Sequence, residues 1–285
     1  MSAAAPVSVV VPVRDSSDVL DDCLRSLMAQ DYPRASYEVI VVDNGSTDAS
    51  PAIAARHDVR CLGEGRVQTS YAARNAGVRA AAHALIAFTD ADCIASPRWL
   101  AEAVAGFDDV AVGCVCGPVE GVAPRTWVQH YLARRRLLSQ DEALGHRFRP
   151  YAETANAVYR RAVFDTIGVF EARWISGGDA DLSWRMLEHG AFTLRYQPGA
   201  VVYHRHRATV AAMLRQRFRH GQGRALLASR YRSQFTRVNP AAAKDGGRFW
   251  QRAHRRGLWK RDVFLESLGV AAFHLGRLLG GGGQK

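Results

Sequence analysis

The stretch Ala84-Leu85-Ile86-Ala87-Phe88-Thr89-Asp90-Ala91-Asp92 decides how this 285-residue chain folds. Its unbroken apolar run reads as a strand buried on both faces, and it passes directly into two acids one residue apart. Such strands belong to parallel sheets, whose ligands bind beyond the carboxyl ends of the strands. Two similar junctions come earlier: Val7–Pro12 runs into Val13-Arg14-Asp15, and Tyr37–Val42 runs into Asp43-Asn44-Gly45-Ser46. Amphipathic segments separate them. Ser16 or Ser17 is placed to cap a helix through about Gln30, Thr47 or Asp48 to cap one with Pro51 in its first turn, and Thr69–Ala82 reads as a third. Val59–Leu62 reads as a short strand. The alternation predicts an α/β fold with a sheet flanked by helices.

Beyond Asp92 the pattern predicts a helix near Pro97–Phe107, a strand near Val110–Cys116, another over Tyr151–Tyr159 and a helix from about Asp179. A composition of 48% hydrophobic and 23% charged residues is that of a globular protein and argues against disorder. Five scattered cysteines without a CxxC pair argue against a disulfide framework or a zinc site, and Cys114 and Cys116 read as buried strand thiols. Met1–Pro6 lacks the basic start of a signal peptide, which points to a cytoplasmic protein.

The net charge of +11 is unevenly spread, because residues 201–260 hold 15 Lys and Arg against the single acid Asp245. Such asymmetry attracts an anionic partner: a membrane surface, a nucleic acid or a phosphorylated substrate. The apolar stretch Val263–Leu279 is interrupted by Glu266, His274 and Arg277, whereas a spanning helix needs ~20 predominantly apolar residues. Phe264, Leu268, Ala271, Leu275 and Leu278 instead share one helical stripe, suited to a bilayer surface, a partner or the parent domain. These features predict a catalytic domain over 1–207 and a basic helical extension over 208–285, the latter membrane- or partner-associated.

Paired carboxylates at a strand end suit a hard divalent cation, Mn²⁺ or Mg²⁺, that bridges a diphosphate, so Asp90 and Asp92 are the candidate metal ligands. Four other segments fall in order around them: Val7-Ser8-Val9-Val10-Val11-Pro12, Val42-Asp43-Asn44-Gly45-Ser46-Thr47-Asp48, Ala73-Arg74-Asn75-Ala76-Gly77 and Gly177-Gly178-Asp179-Ala180-Asp181-Leu182-Ser183-Trp184-Arg185. With the Asp90–Asp92 strand end, this set resembles the family 2 glycosyltransferases, enzymes of the GT-A fold with a Rossmann-like mixed sheet, across roughly residues 7–225.

The resemblance implies a nucleoside-diphosphate sugar donor and an acceptor hydroxyl on a lipid, polysaccharide or metabolite. It implies that Asp43 hydrogen-bonds the nucleobase, that Pro12 and Val13 border the base, and that Arg74 contacts the nucleotide, with Asp90 and Ala91 beside it. Asp43 also suits an Asx-turn and Arg74 a solvated helix charge. Asp179 is implied as the general base of an inverting transfer, while Asp179 and Asp181 also suit helix N-terminal positions. His204, in Tyr203-His204-Arg205-His206, is implied as an additional metal ligand. Arg217, in Arg215-Gln216-Arg217-Phe218-Arg219-His220-Gly221, is implied as a diphosphate contact, or belongs to a basic helix face.

Two positions depart from the family pattern: Gly178 stands where Glu is common, and Arg14-Asp15 replaces an aromatic-Asn pair. Three rival readings are weaker. Nucleotidyl transfer to a sugar phosphate calls for a Gly-rich loop after the first strand, and Pro12–Asp15 is not one. A dinucleotide site calls for GxGxxG, which follows no expected strand. A nucleic-acid-binding module draws on the basic 201–260 region with Phe218, Tyr231, Phe235 and Trp250, but leaves the acidic motifs unexplained, so no nucleic acid is expected.

Overall fold

A computed structural model describes residues 4–135, 139–234 and 260–280. The first half runs β1 (Val7–Val13), α1 (Leu20–Met28), β2 (Tyr37–Asp43), α2 (Ser50–Ala54), β3 (Arg60–Gly63), α3 (Ser70–Ala80), β4 (Leu85–Phe88), β5 (Cys93–Ala95) and α4 (Trp99–Ala105). It continues with β6 (Val112–Cys116), β7 (Val119–Gly121), α5 (Trp127–Arg134), α6 (Gln140–Leu144), β8 (Ala157–Arg160) and α7 (Arg161–Ile167). The remainder is α8 (Gly178–His189), β9 (Thr193–Tyr196), β10 (Val202–His204), α9 (Val210–Arg230) and α10 (Lys260–Leu279).

The chain divides into two compact units. The first comprises residues 1–122, 138–174 and 178–205, and the second residues 123–137, 175–177 and 206–285. In the first, a seven-stranded sheet has the order β3-β2-β1-β4-β8-β6-β9. The β3-β2-β1-β4 run is parallel, and β8 pairs antiparallel with both β4 and β6. All seven residues of β1 are buried, as the continuous apolar pattern requires of a strand covered on both faces. Each buried valine of β1 contributes about 1.5–3 kcal/mol relative to exposure. Because the chain goes from β1 outward to β2 and β3 and then returns to β1's other side with β4, the strand order reverses at β1, and the crevice beyond β1 and β4 is the expected ligand site.

A strand and a helix cap differ from expectation. Tyr151–Tyr159 is not one strand: a 3-10 turn covers Thr154–Asn156 and only Ala157–Arg160 pairs in the sheet. The buried Asn156 side chain accepts from Trp99 Nε1 at 2.8 Å and donates to the carbonyls of Pro118 and Ala200, and these bonds hold the chain out of the ladder. Neither Ser16 nor Ser17 caps α1 with its side chain, since the helix starts at Leu20. Their backbone N–H groups donate instead to Ser50 Oγ and Asp48 Oδ2, tying the β1 loop to the β2 loop. His204 ends β10, which pairs with β5 and β7 in a separate three-stranded sheet.

Cys114 and Cys116 are buried on β6, where burial raises both thiols. In the second unit, α5 begins with a capping box between Thr126 and Gln129, and its apolar face packs with Met213 of α9 and Leu265 of α10. Arg134 makes a two-pronged ion pair with the buried Asp262, while Arg135 and the Tyr131 hydroxyl both engage Glu266. α10 approaches α9 backbone to backbone at two glycines. A Cβ on Gly221 would stand 2.0 Å from the Phe273 carbonyl oxygen, and one on Gly276 2.0 Å from that of Phe218. The apolar stripe faces elsewhere: Phe264, Leu275 and Leu278 are 59%, 52% and 75% exposed. Among the described residues no helix is long and apolar enough to cross a membrane. Phe235 and Trp250, with most of the basic linker before α10, lie outside the described residues.

Candidate active site

The parallel register sets Val13 of β1 opposite Asp43 of β2, and Val10 opposite Phe88 of β4, so the three polar junctions share one edge of the sheet. Pro12 and Val13 are buried at that edge. Asp43 accepts from the Ser46 N–H, three residues on, at 3.2 Å across the turn at Gly45, where φ is +79°. Asp15, at φ +46°, accepts from the Thr47 N–H at 2.8 Å and completes the bracing between the loops. Hydrogen bonds from Ser50 and Ser17 hold the Asp48 carboxyl well below the usual carboxylate range.

At the end of β4, Asp90 turns the chain: its carbonyl accepts from the Cys93 N–H at 3.0 Å. Its carboxylate is paired with Arg74 of α3, a guanidinium only 3% exposed. Arg74 is therefore no solvated helix charge. Its Nε is buried with no hydrogen-bond partner among the described residues. Ala91 is buried between the two acids. The Asp92 carboxylate lies 3.6 Å from Nε2 of the buried His204, because β10 pairs with β5 and sets His204 opposite Cys93. Two carboxylates suit a hard cation with phosphate oxygens completing its shell, and His204 stands where a third ligand is useful. Among the described residues, however, no three His, Cys, Asp or Glu side chains are gathered closely enough to hold a metal by themselves.

Asp179 sits in the first turn of α8 and accepts from the Tyr71 hydroxyl at 3.2 Å. The Arg74 guanidinium lies over the same Tyr71 ring, 5.5 Å from its centroid. A path of direct contacts therefore links Asp179, Tyr71, Arg74 and Asp90. Asp181 has a different part: fully buried, it pairs with Arg185 at 2.9 Å, and Arg185 in turn donates to the Ile167 and Val169 carbonyls. Asn75 exchanges two hydrogen bonds with the Phe170 backbone, and Gly77 lets α3 approach Val10 of β1. Those motif residues build the frame. Arg217 belongs to the second unit, where it lies beside Gly269 of α10.

Tyr71 and Glu153 were not among the expected site residues. Tyr71 lies one helical turn before Arg74, on a neighbouring face of α3. Glu153 is an acid in the otherwise uncharged Tyr151–Ala155 segment, and burial together with the nearby Asp179 carboxylate pushes it well above the usual carboxylate range.

The mixed sheet flanked by helices is that of the glycosyltransferases of the GT-A fold. The chain belongs to glycosyl transferase family 2, whose match spans residues 8–168. It is 33% identical over 231 residues to the glycosyltransferase AglE of Haloferax volcanii, covering 78% of this chain and 74% of that one. It is 32% identical over 240 residues to the pre-mycofactocin glycosyltransferase of Mycobacterium tuberculosis, covering 79% of this chain and 48% of that longer protein. In fold it is similar to the mannosyltransferase PcManGT from Pyrobaculum calidifontis, solved with GDP-Man and Mn²⁺, at a TM-score of 0.64 and 20% identity over 97% of this chain and 88% of that one. It is also similar to S. aureus TarS with UDP-GlcNAc, at a TM-score of 0.56 and 18% identity over 96% and 90%.

Proposed function

We propose that this glycosyltransferase moves a sugar from a nucleoside-diphosphate donor to an acceptor hydroxyl with inversion, using Asp179 as general base. The observation that carries the reading is the contact path from Asp179 through Tyr71 and Arg74 to Asp90, which joins the proton-accepting group to the diphosphate end of the site. Asp179 takes the acceptor hydroxyl's proton as that oxygen bonds to the anomeric carbon. The bond from that carbon to the diphosphate oxygen breaks on the opposite face, and its electron pair leaves with the nucleoside diphosphate.

Asp43 binds the nucleobase between the walls formed by Pro12 and Val13, Arg74 and the Ala91 backbone meet the nucleotide, and Arg217 contributes a diphosphate contact. Asp90, Asp92 and His204 would hold Mn²⁺ or Mg²⁺, which offsets charge on the departing diphosphate. The acceptor hydroxyl belongs to a lipid, polysaccharide or metabolite. Calorimetric titration of UDP, GDP and dTDP, with and without Mn²⁺, tests the donor half. One nucleotide is expected to bind in a metal-dependent way and to lose that dependence in Asp92→Ala; binding of none, or equal binding by the variant, refutes it.

A second part of the proposal places the protein on the cytoplasmic face of an anionic membrane. Its support is the exposed stripe Phe264, Leu275 and Leu278 on α10, in the same basic unit as the exposed Arg215 and Arg219 of α9. Vesicles containing phosphatidylserine should capture the protein in a salt-sensitive way, and neutral phosphatidylcholine vesicles should not. Replacing all three apolar residues by serine should release it, and unchanged capture would remove the stripe from the account.

A further inference from the structure

A side chain at position 178 has no room. A Cβ there would stand 2.8 Å from Cζ of Tyr71 and 2.9 Å from the ring carbons on either side of it. Gly178 thus admits the hydroxyl end of a buried tyrosine at the head of α8, and that hydroxyl donates to Oδ1 of Asp179 at 3.2 Å. The ring is itself fixed in place. It stacks on Phe170 with centroids 5.6 Å apart, and Asn75, one turn further along α3, exchanges hydrogen bonds of 2.8 and 3.0 Å with the Phe170 backbone. At the start of α3 the Thr69 side chain accepts from the Ala72 N–H at 3.0 Å and donates to the Ala172 carbonyl, so the first turn of the helix is tied to the segment that carries Phe170. A second donor, the Ala180 N–H, reaches the same Asp179 Oδ1 at 3.2 Å.

We infer that Tyr71 is a positioning residue for the transfer: its hydroxyl, in the space that a side chain at 178 would take, fixes Asp179 Oδ1 so that Oδ2 meets the acceptor's proton. The inference rests on the reading of Asp179 as the base. A phenol keeps its hydrogen at neutral pH, so Tyr71 stays the donor and Asp179 the acceptor. Two donors on Oδ1 hold that corner of the carboxylate, and a base held in one orientation meets its substrate without a search. Packing alone does not call for this arrangement. Phenylalanine would fill the same space against Phe170, and what the hydroxyl adds is the bond to Asp179. Gly178 belongs to the same device, because a side chain there would displace the end of the ring that carries the hydroxyl.

The test is Tyr71→Phe in the full chain, alone and combined with Asp179→Asn, on whichever nucleotide sugar the wild type turns over. Phenylalanine keeps the ring, its stacking on Phe170 and its place beneath Arg74, and deletes the hydroxyl. Its kcat should fall about 10- to 100-fold, the worth of one hydrogen bond to a charged group. The KM for the donor and the calorimetric affinity for its nucleoside diphosphate should not move, which also shows that the variant folds. In the Asp179→Asn background the same substitution should lower kcat no further, because residues that act as a unit are not additive. A wild-type kcat in Tyr71→Phe beside an impaired Asp179→Asn would overturn this inference and leave the base standing. A loss confined to KM or affinity would make Tyr71 a donor-binding residue, and an undiminished further loss in the double variant would put its effect elsewhere than Asp179; either overturns the inference. Turnover retained in Asp179→Asn would remove the base itself, and the inference with it.

Discussion

At the end of β4, Asp90 is gripped by Arg74, a cation at every physiological pH, whereas at the head of α8 Asp179 accepts from the Tyr71 hydroxyl, which brings no positive charge. The first arrangement pairs a buried guanidinium directly with a carboxylate, so opposite charges sit fixed at the end of the strand. The second has a neutral partner, since the Tyr71 hydroxyl donates its hydrogen to Asp179. Tyr71 touches both groups, through its ring to Arg74 and through its hydroxyl to Asp179. The two ends thus differ in chemistry while sharing one side chain.

The largest effect that can break this comparison is expected from Asp179→Asn, which should lower kcat by about 10²–10⁴-fold, the range of general base catalysis. Nucleotide affinity by calorimetry should not move. If affinity falls instead of kcat, Asp179 belongs with the charge-binding end. Arg74→Met should do the reverse, weakening nucleoside diphosphate binding by about 10- to 100-fold, as expected for loss of a charged hydrogen bond. Measured kcat at saturating donor distinguishes the two variants, and identical signatures would erase the division. The smallest effect sharpens it: Gly178→Ala should cost about 1–3 kcal/mol of stability through overpacking against Tyr71. Chemical denaturation should show that penalty shrink when Tyr71→Ala is present; an equal penalty in both backgrounds would place the strain elsewhere.

Much of the charge-binding end was legible in the sequence because it lies at strand ends. Strand period and turn chemistry locate Asp43, Asp90 and Asp92 without knowledge of distant contacts, and the motif containing Arg74 lies on the next helix. The placement of His204 beside Asp92 was not legible, since the three-residue strands that set it there carry almost no periodic signal. The proton-handling end was only half readable. Asp179 stands in a recognisable segment, but Glu153 stands just before a turn that the apolar pattern of Tyr151–Tyr159 disguised as a strand. What bends that segment is a set of buried bonds from Asn156 and Gln140, and tertiary bonds of that kind leave no local period. The sequence did mark the vacancy, through Gly178.

The glycine contact between α9 and α10 has a consequence in time. Gly221 and the Phe273 backbone that covers it are far apart in the chain, and at synthesis rates of about 5–20 residues per second the first emerges several seconds before the second. Throughout that interval α9 presents a bare trough, and Arg134 and Arg135 await Asp262 and Glu266. Among the described residues α10 closes the second unit, so a chain stalled before Lys260 lacks both the backbone that covers Gly221 and the acids that pair with Arg134 and Arg135.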